Sequence, residues 1–221
     1  MLDCVCQSYP PNCPIVSGFD EYIRKYNYNS SLKSLRLDAV YDNIPRLLNL
    51  ERLNIPFCAS KAKEYDEFKK LTYLKFHAVE KNALNNLLHI SNLKVLSIYG
   101  FRSITKELFI KNHEIHTRFT NLQKLIIEMN NSPHSREKVV SINFPNLTSL
   151  RLHMTKRWQE KLSVIVKCTK LIQLSMKNIA TENLSDYLKN TSPLSKLYLE
   201  NVWYKNEDFN LSIGCVKKSK C

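Results

Sequence analysis

Two clusters in the chain carry residue types suited to metal chemistry, and neither has the spacing that chemistry needs. His113 and His116 flank Glu114 in HEIH, where a zinc-protease helix sets its two histidines four residues apart, and no third ligand follows. Cys4, Cys6 and Cys13 have no fourth donor nearby. Gly18, Gly100 and Gly214 stand too far apart to cradle a phosphate. No GxSxG marks a nucleophilic serine, and no sequence context marks a nucleophilic cysteine. The chain therefore reads as a non-enzyme, with no catalytic, cofactor-binding or metal-binding residue expected.

The residues that do recur at regular intervals are basic and aromatic. Arg36, Arg52, Tyr73, Lys75, His77, Tyr99, Lys124, Arg151, His153, Lys177 and Tyr198 all occupy the third, fifth or seventh position of one repeated outline. That outline is LxxLxL, with Ile, Phe or Met sometimes in the last place. It starts at Leu32, Leu50, Leu71, Leu93, Leu122, Leu147, Leu171 and Leu194, at intervals of 18 to 29 residues. The mean interval is about 23, inside the range of leucine-rich repeats. A strand with leucine at its first, fourth and sixth positions cannot bury those side chains alone, whereas stacked copies bury them together.

The expected fold is therefore α/β: a leucine-rich repeat solenoid, or horseshoe, of about eight repeats. A parallel sheet lines the concave face, and helices or turns lie on the convex face. Side chains alternate along a strand, so the third, fifth and seventh positions point out of the sheet. EKNALNNLLHI (80–90) and TENLSDYLKN (181–190) space their apolar residues helically, the second through Leu184, Tyr187 and Leu188. Thr181 and Ser103 are expected N-caps. The segment 130–141 breaks the apolar period with Ser-Pro and mixed charge, and reads as the most flexible connection.

Three units follow from this pattern. Residues 1–31 form an N-terminal cap segment, in which Phe19, Tyr22 and Ile23 of FDEYIRKYNY cover the first repeat. The repeat domain is 32–202. Residues 203–221 form a C-terminal cap and basic tail, with Trp203, Phe209, Leu211 and Ile213 over the eighth strand.

Composition bounds the partners. The chain has 221 residues and is 43% hydrophobic, enough for one sizeable core. Thirty-three basic against 20 acidic residues give a net charge of +13, which favours an anionic partner. No membrane span and no signal-peptide pattern are visible. The seven cysteines are an odd number, which argues against full pairing and for thiols buried as small apolar groups. These features point to a cytoplasmic or nuclear protein.

The repeats resemble those of leucine-rich repeat proteins of the F-box type. In LSIYGFRSITKELF (96–109), Ile104 and Thr105 match the family's IT pair, and in VKCTKLIQL (166–174), Cys168 matches the cysteine before the next strand. Cys58 falls at a strand-end position. The ninth position reads Val40, Cys58, Val79, Phe101, Asn130, Thr155, Ile179 and Val202, so the asparagine ladder of extracellular repeats is missing there. Residues 1–31 show no F-box pattern, which is expected of a fragment, of an isoform lacking the box or of a free-standing adaptor.

The resemblance implies a protein-interaction scaffold like the substrate-recognition arm of an SCF-type ubiquitin ligase, with a Skp-type adaptor and a cullin as further partners. The residues themselves imply a concave face that binds an acidic or phosphorylated protein segment, because aromatic residues and Arg dominate interface energies and Arg pairs with carboxylate or phosphate in bidentate fashion. The alternatives are a free-standing repeat adaptor and a nucleic-acid-binding basic repeat protein. Acidic residues interrupt the basic stripe and make the nucleic-acid reading the less favoured one.

Overall fold

A strand of four to six residues with leucine at alternate positions leaves one apolar side uncovered, and the chain covers it by stacking the next copy beside it. The structure is a computed structural model and describes residues 4–6, 31–37, 47–55, 68–77, 90–99, 119–129, 139–155, 163–181, 184, 188, 194–204 and 210–217. These residues form a parallel-sheet solenoid. Its strands are β1 (Cys4–Cys6), β2 (Ser34–Leu37), β3 (Arg52–Ile55), β4 (Tyr73–His77), β5 (Val95–Tyr99), β6 (Lys124–Met129), β7 (Val139–Ile142), β8 (Ser149–Met154), β9 (Ser163–Val166), β10 (Gln173–Thr181), β11 (Lys196–Tyr204) and β12 (Asn210–Lys217). They pair in the order β1-β2-β3-β4-β5-β6-β8-β10-β11-β12, with β7 and β9 off this path.

Each LxxLxL copy supplies one rung of the main sheet, and in all eight the third residue of the motif opens the strand. Pairing is in register: Leu35, Leu53, Leu74, Leu96, Leu125, Leu150, Leu174 and Leu197 follow one another across the sheet. The first-position leucines from Leu32 to Leu171 are buried, as are the fourth-position leucines from Leu35 to Leu174, and Ile55, Phe76, Ile98, Ile127, Leu152, Met176 and Leu199 at the sixth. Each such side chain contributes about 1.5–3 kcal/mol on leaving water. Leu194 and Leu197 of the last rung are partly buried against this core.

A fourth apolar column lies three residues before the six first leucines from Leu50 to Leu171, at Leu47, Phe68, Ile90, Phe119, Phe144 and Cys168, all buried. The main-chain N–H of the motif leucine donates back to the carbonyl of this residue at Leu50–Leu47 (3.1 Å), Leu71–Phe68 (3.0 Å), Leu93–Ile90 (3.4 Å), Leu122–Phe119 (3.1 Å) and Leu147–Phe144 (3.3 Å). That tight turn explains the asparagine before the leucine, a residue suited to turns. Asn92, Asn121 and Asn146 donate to the carbonyls of Lys69 (2.8 Å), Ser91 (3.2 Å) and Thr120 (2.8 Å) in the preceding turn. Where lysine takes the place of asparagine, its ammonium donates to the asparagine of the preceding turn: Lys70 to Asn49, and Lys170 to Asn146.

The ends and the return path add what the repeat pattern does not predict. β1 lies parallel to β2 with Cys4 opposite Leu35 and Cys6 opposite Leu37, a further rung in register with the inward columns. β12 runs antiparallel along β11, so the C-terminal segment covers the last strand as a reversed strand and not as another parallel unit. On the return path β7 pairs with β9, and β9 with the far end of β10, all parallel. Part of the segment expected to be a flexible connection is thus strand, since Val139, Val140 and Ser141 belong to β7. The β-branched run VVSI outweighs the Ser-Pro before it.

Thr181, an expected N-cap, is buried at the end of β10, and the next described residue, Leu184, is helical and buried; helical Leu188 is 37% exposed. The other expected helices, the FDEYIRKYNY cap and Tyr187 lie outside the described residues.

The last two rungs bend at asparagine. Asn178 (φ 55°) and Asn201 (φ 50°) take the left-handed conformation at the eighth motif position, where asparagine is tolerated better than most residues. Buried Asn178 donates to the Met154 carbonyl (2.6 Å), and Asn201 donates to the Asn178 side-chain oxygen (3.0 Å). A short asparagine stack therefore exists one position before the ninth. Asn178→Ala should lose both the bonds and the tolerated backbone, at about 2–3 kcal/mol, and Asn178→Gly should cost about 1 kcal/mol less because it keeps the backbone. Chemical denaturation of the two variants tests this, and equal losses would contradict the backbone assignment.

Candidate functional site

Because the fourth and sixth positions face the core, the third, fifth and seventh positions face away from it, and the pairing register sets them in three columns across the sheet. The third-position column runs Ser34, Arg52, Tyr73, Val95, Lys124, Ser149, Gln173, Lys196. The fifth runs Arg36, Asn54, Lys75, Ser97, Ile126, Arg151, Ser175, Tyr198. The seventh is described from β4 onward as His77, Tyr99, Glu128, His153, Lys177, Glu200. All eleven expected binding residues thus fall on one face of the sheet; of His77 only the backbone position is described.

The face is organised differently toward its two ends. On β3–β5 cations lie over aromatic rings. The Arg52 guanidinium sits 4.6 Å from the centroid of Tyr73, and the Lys75 ammonium 4.6 Å from that of Tyr99. Such contacts hold the cation in place and leave its N–H groups able to donate elsewhere. Among the described residues of these columns on β2–β5 there is no carboxylate.

From β6 onward two of the outward cations, Arg151 and Lys177, meet acids. Arg151 lies 3.9 Å from Glu128, and Lys177 lies 2.7 Å from Glu200. The Tyr198 hydroxyl also donates to Glu200. The bonds from Lys177 and Tyr198 hold the Glu200 carboxyl below its ordinary range, and Glu200 in turn raises both Lys177 and Tyr198. His153 Nε2 is 2.7 Å from Ser175 Oγ, and its ring stands 6.3 Å from that of Tyr198. Burial, followed by the Arg151 charge, lowers the His153 pKa below the ordinary histidine value, so the ring is neutral at neutral pH. The Ser175–His153 pair has the components of a nucleophile and a base, but no carboxylate is bonded to the other ring nitrogen among the described residues.

At the centre of the face, Ser97 is buried and its hydroxyl has no hydrogen-bond partner among the described residues. Lys75 and Ile126 flank it across the sheet. An unpaired buried hydroxyl costs about 1–3 kcal/mol. The repeat pattern marks this position as outward-facing, and nothing in the sequence signals that it is covered.

Cys168 is a buried thiol outside any disulfide, pushed up to about 11 by burial, so it packs as a small apolar group rather than reacting. Its Sγ accepts from the Phe144 N–H at 3.4 Å. His113, Glu114, His116, Cys13, Cys58, Ile104 and Thr105 lie outside the described residues. Among the described residues no group of three His, Cys, Asp or Glu is placed to hold a metal ion, and no helix is long and apolar enough to cross a membrane. No protein-family model matches the chain, and no curated protein matches it.

Removing the orphaned hydroxyl should stabilise the free protein. Ser97→Ala is expected to raise the free energy of unfolding by about 1 kcal/mol, measured by denaturant titration; a loss of stability would mean that Ser97 is partnered in solution.

Proposed function

We propose that the protein is a leucine-rich repeat horseshoe that works as a non-catalytic interaction scaffold, holding an acidic or phosphorylated segment of a partner protein on the concave face of its sheet. The observation that carries this reading is the alignment of Arg, Lys and Tyr in outward columns across successive rungs, with cations over aromatic rings on β3–β5. Aromatic and arginine anchors on a rigid surface are what interface energetics favours, and the net charge of +13 suits an anionic partner. Cytoplasmic or nuclear residence rests on the charge, cysteine and signal-pattern features of the sequence, and a role like the substrate arm of an SCF-type ubiquitin ligase on the resemblance of the repeats.

A second reading, binding of single-stranded nucleic acid, is favoured by the same basic and aromatic columns, since bases stack on aromatic rings. The ion pairs from β6 onward weigh against a continuous phosphate track. A salt titration separates the two, because phosphate contacts make affinity fall steeply with log salt.

Affinity purification of the tagged protein from its own cells, beside a variant with Arg36, Lys75 and Arg151 replaced together by Glu, tests the proposal. The expected result is a protein partner retained at moderate salt by the native chain and lost by the variant. Recovery of a Skp-type adaptor with a cullin supports the ligase role. Undiminished capture by the variant contradicts the concave-face reading.

A further inference from the structure

The two ion pairs leave the sheet face uneven, and the unevenness names one part of it. Arg151 and Lys177 already have carboxylates beside them at 3.9 and 2.7 Å. Arg52 and Lys75 instead rest on the rings of Tyr73 and Tyr99, each at 4.6 Å. A ring face attracts a cation but accepts little from its N–H groups, so the donors of Arg52 and Lys75 keep the capacity to bind an oxyanion. The rings also limit the rotamers of both side chains, which reduces the entropy lost when a ligand is gripped.

A second, independent observation lies beside them. Ser97 is opposite Lys75 in the register and two residues before Tyr99 on the same strand. Its buried hydroxyl is a hydrogen-bonding group without a partner, which native interiors rarely leave unexplained.

We propose that the ring-held cations Arg52 and Lys75, with the unpartnered Ser97 hydroxyl between β4 and β6, form the subsite that reads an acidic peptide segment, while the ion-paired Arg151 and Lys177 of the β6–β11 half do not. The occupant is an Asp/Glu-bearing stretch of a partner protein. Charge complementarity selects it: the described outer columns of β2–β5 carry arginine and lysine and no carboxylate. Neighbouring rungs lie about 4.8 Å apart, so Arg52 on β3 and Lys75 on β4 sit within reach of carboxylates on one short segment. The inference rests on the proposed use of this face for binding.

Two variants that remove equal charge test it. Arg52→Gln with Lys75→Gln is compared with Arg151→Gln with Lys177→Gln, by fluorescence anisotropy of a short labelled Asp/Glu peptide against the full chain. The first pair should weaken the peptide about tenfold or more, the loss expected for one to two charge-assisted hydrogen bonds, and the second should change it less than about threefold. Ser97→Ala should weaken it by about threefold, and undiminished affinity removes Ser97 from the subsite. Equal losses from both pairs overturn the division of the face while leaving the face as the binding surface. Binding by the native chain that neither pair affects overturns the use of this face altogether. No binding of the peptide by the native chain, or tighter binding of a single-stranded oligonucleotide through Arg52 and Lys75, overturns the acidic-peptide assignment.

Discussion

The structure depends on one constraint: a short strand bearing apolar residues at the fourth and sixth positions of the motif cannot bury them against itself. It buries them against the same positions of the next copy, so Leu53, Leu74, Leu96, Leu125 and Leu150 form a continuous column with each residue almost wholly removed from water. A slip of one residue in any pair would turn every leucine of that strand to solvent. The hydrophobic column therefore fixes the register, and the register alone brings Arg52 beside Tyr73 and Lys177 beside Glu200. The arrangement of the outer face is a by-product of core packing, because the outward residues have no choice of neighbours once the inward ones are seated.

The polar framework reinforces the same register at the edges. The turns before Leu50, Leu71, Leu93, Leu122 and Leu147 are closed by a main-chain bond, and Lys70, Asn92, Asn121, Asn146 and Lys170 tie their turns to the previous one through their side chains. These contacts are exposed, so each adds little to stability, yet they repeat at the same place in successive rungs and penalise a slipped alignment collectively. At the other end of the last two rungs Asn178 and Asn201 take the left-handed conformation where β10 stops pairing with β8 and goes on to pair with β9, while β10 and β11 stay paired.

What the sequence made legible was whatever depends on period. Eight motif starts placed the first residue of eight strands, and the three outward columns followed from alternation. The buried column three residues upstream, from Leu47 to Cys168, was harder to see because its members differ in type: leucine, phenylalanine, isoleucine and cysteine share only apolarity. β1 was missed for the same reason, since cysteine stands where the motif has leucine. The strand VVSI was hidden behind a Ser-Pro, and the pairing direction of β12 has no local signature. At the candidate site, residue types could be read but not their partners. Arg151 and Arg52 look alike in the sequence, and only the neighbouring rung shows that one faces Glu128 and the other Tyr73.

The most direct test of this account is methyl–methyl nuclear Overhauser spectroscopy on leucine-labelled protein. The stacked register predicts cross-peaks linking Leu53 to Leu74, Leu74 to Leu96, Leu96 to Leu125, Leu125 to Leu150 and Leu150 to Leu174, with none between Leu53 and Leu125. Contacts that skip rungs, or a chain broken at any of these steps, would contradict the register and with it the arrangement of the outer face.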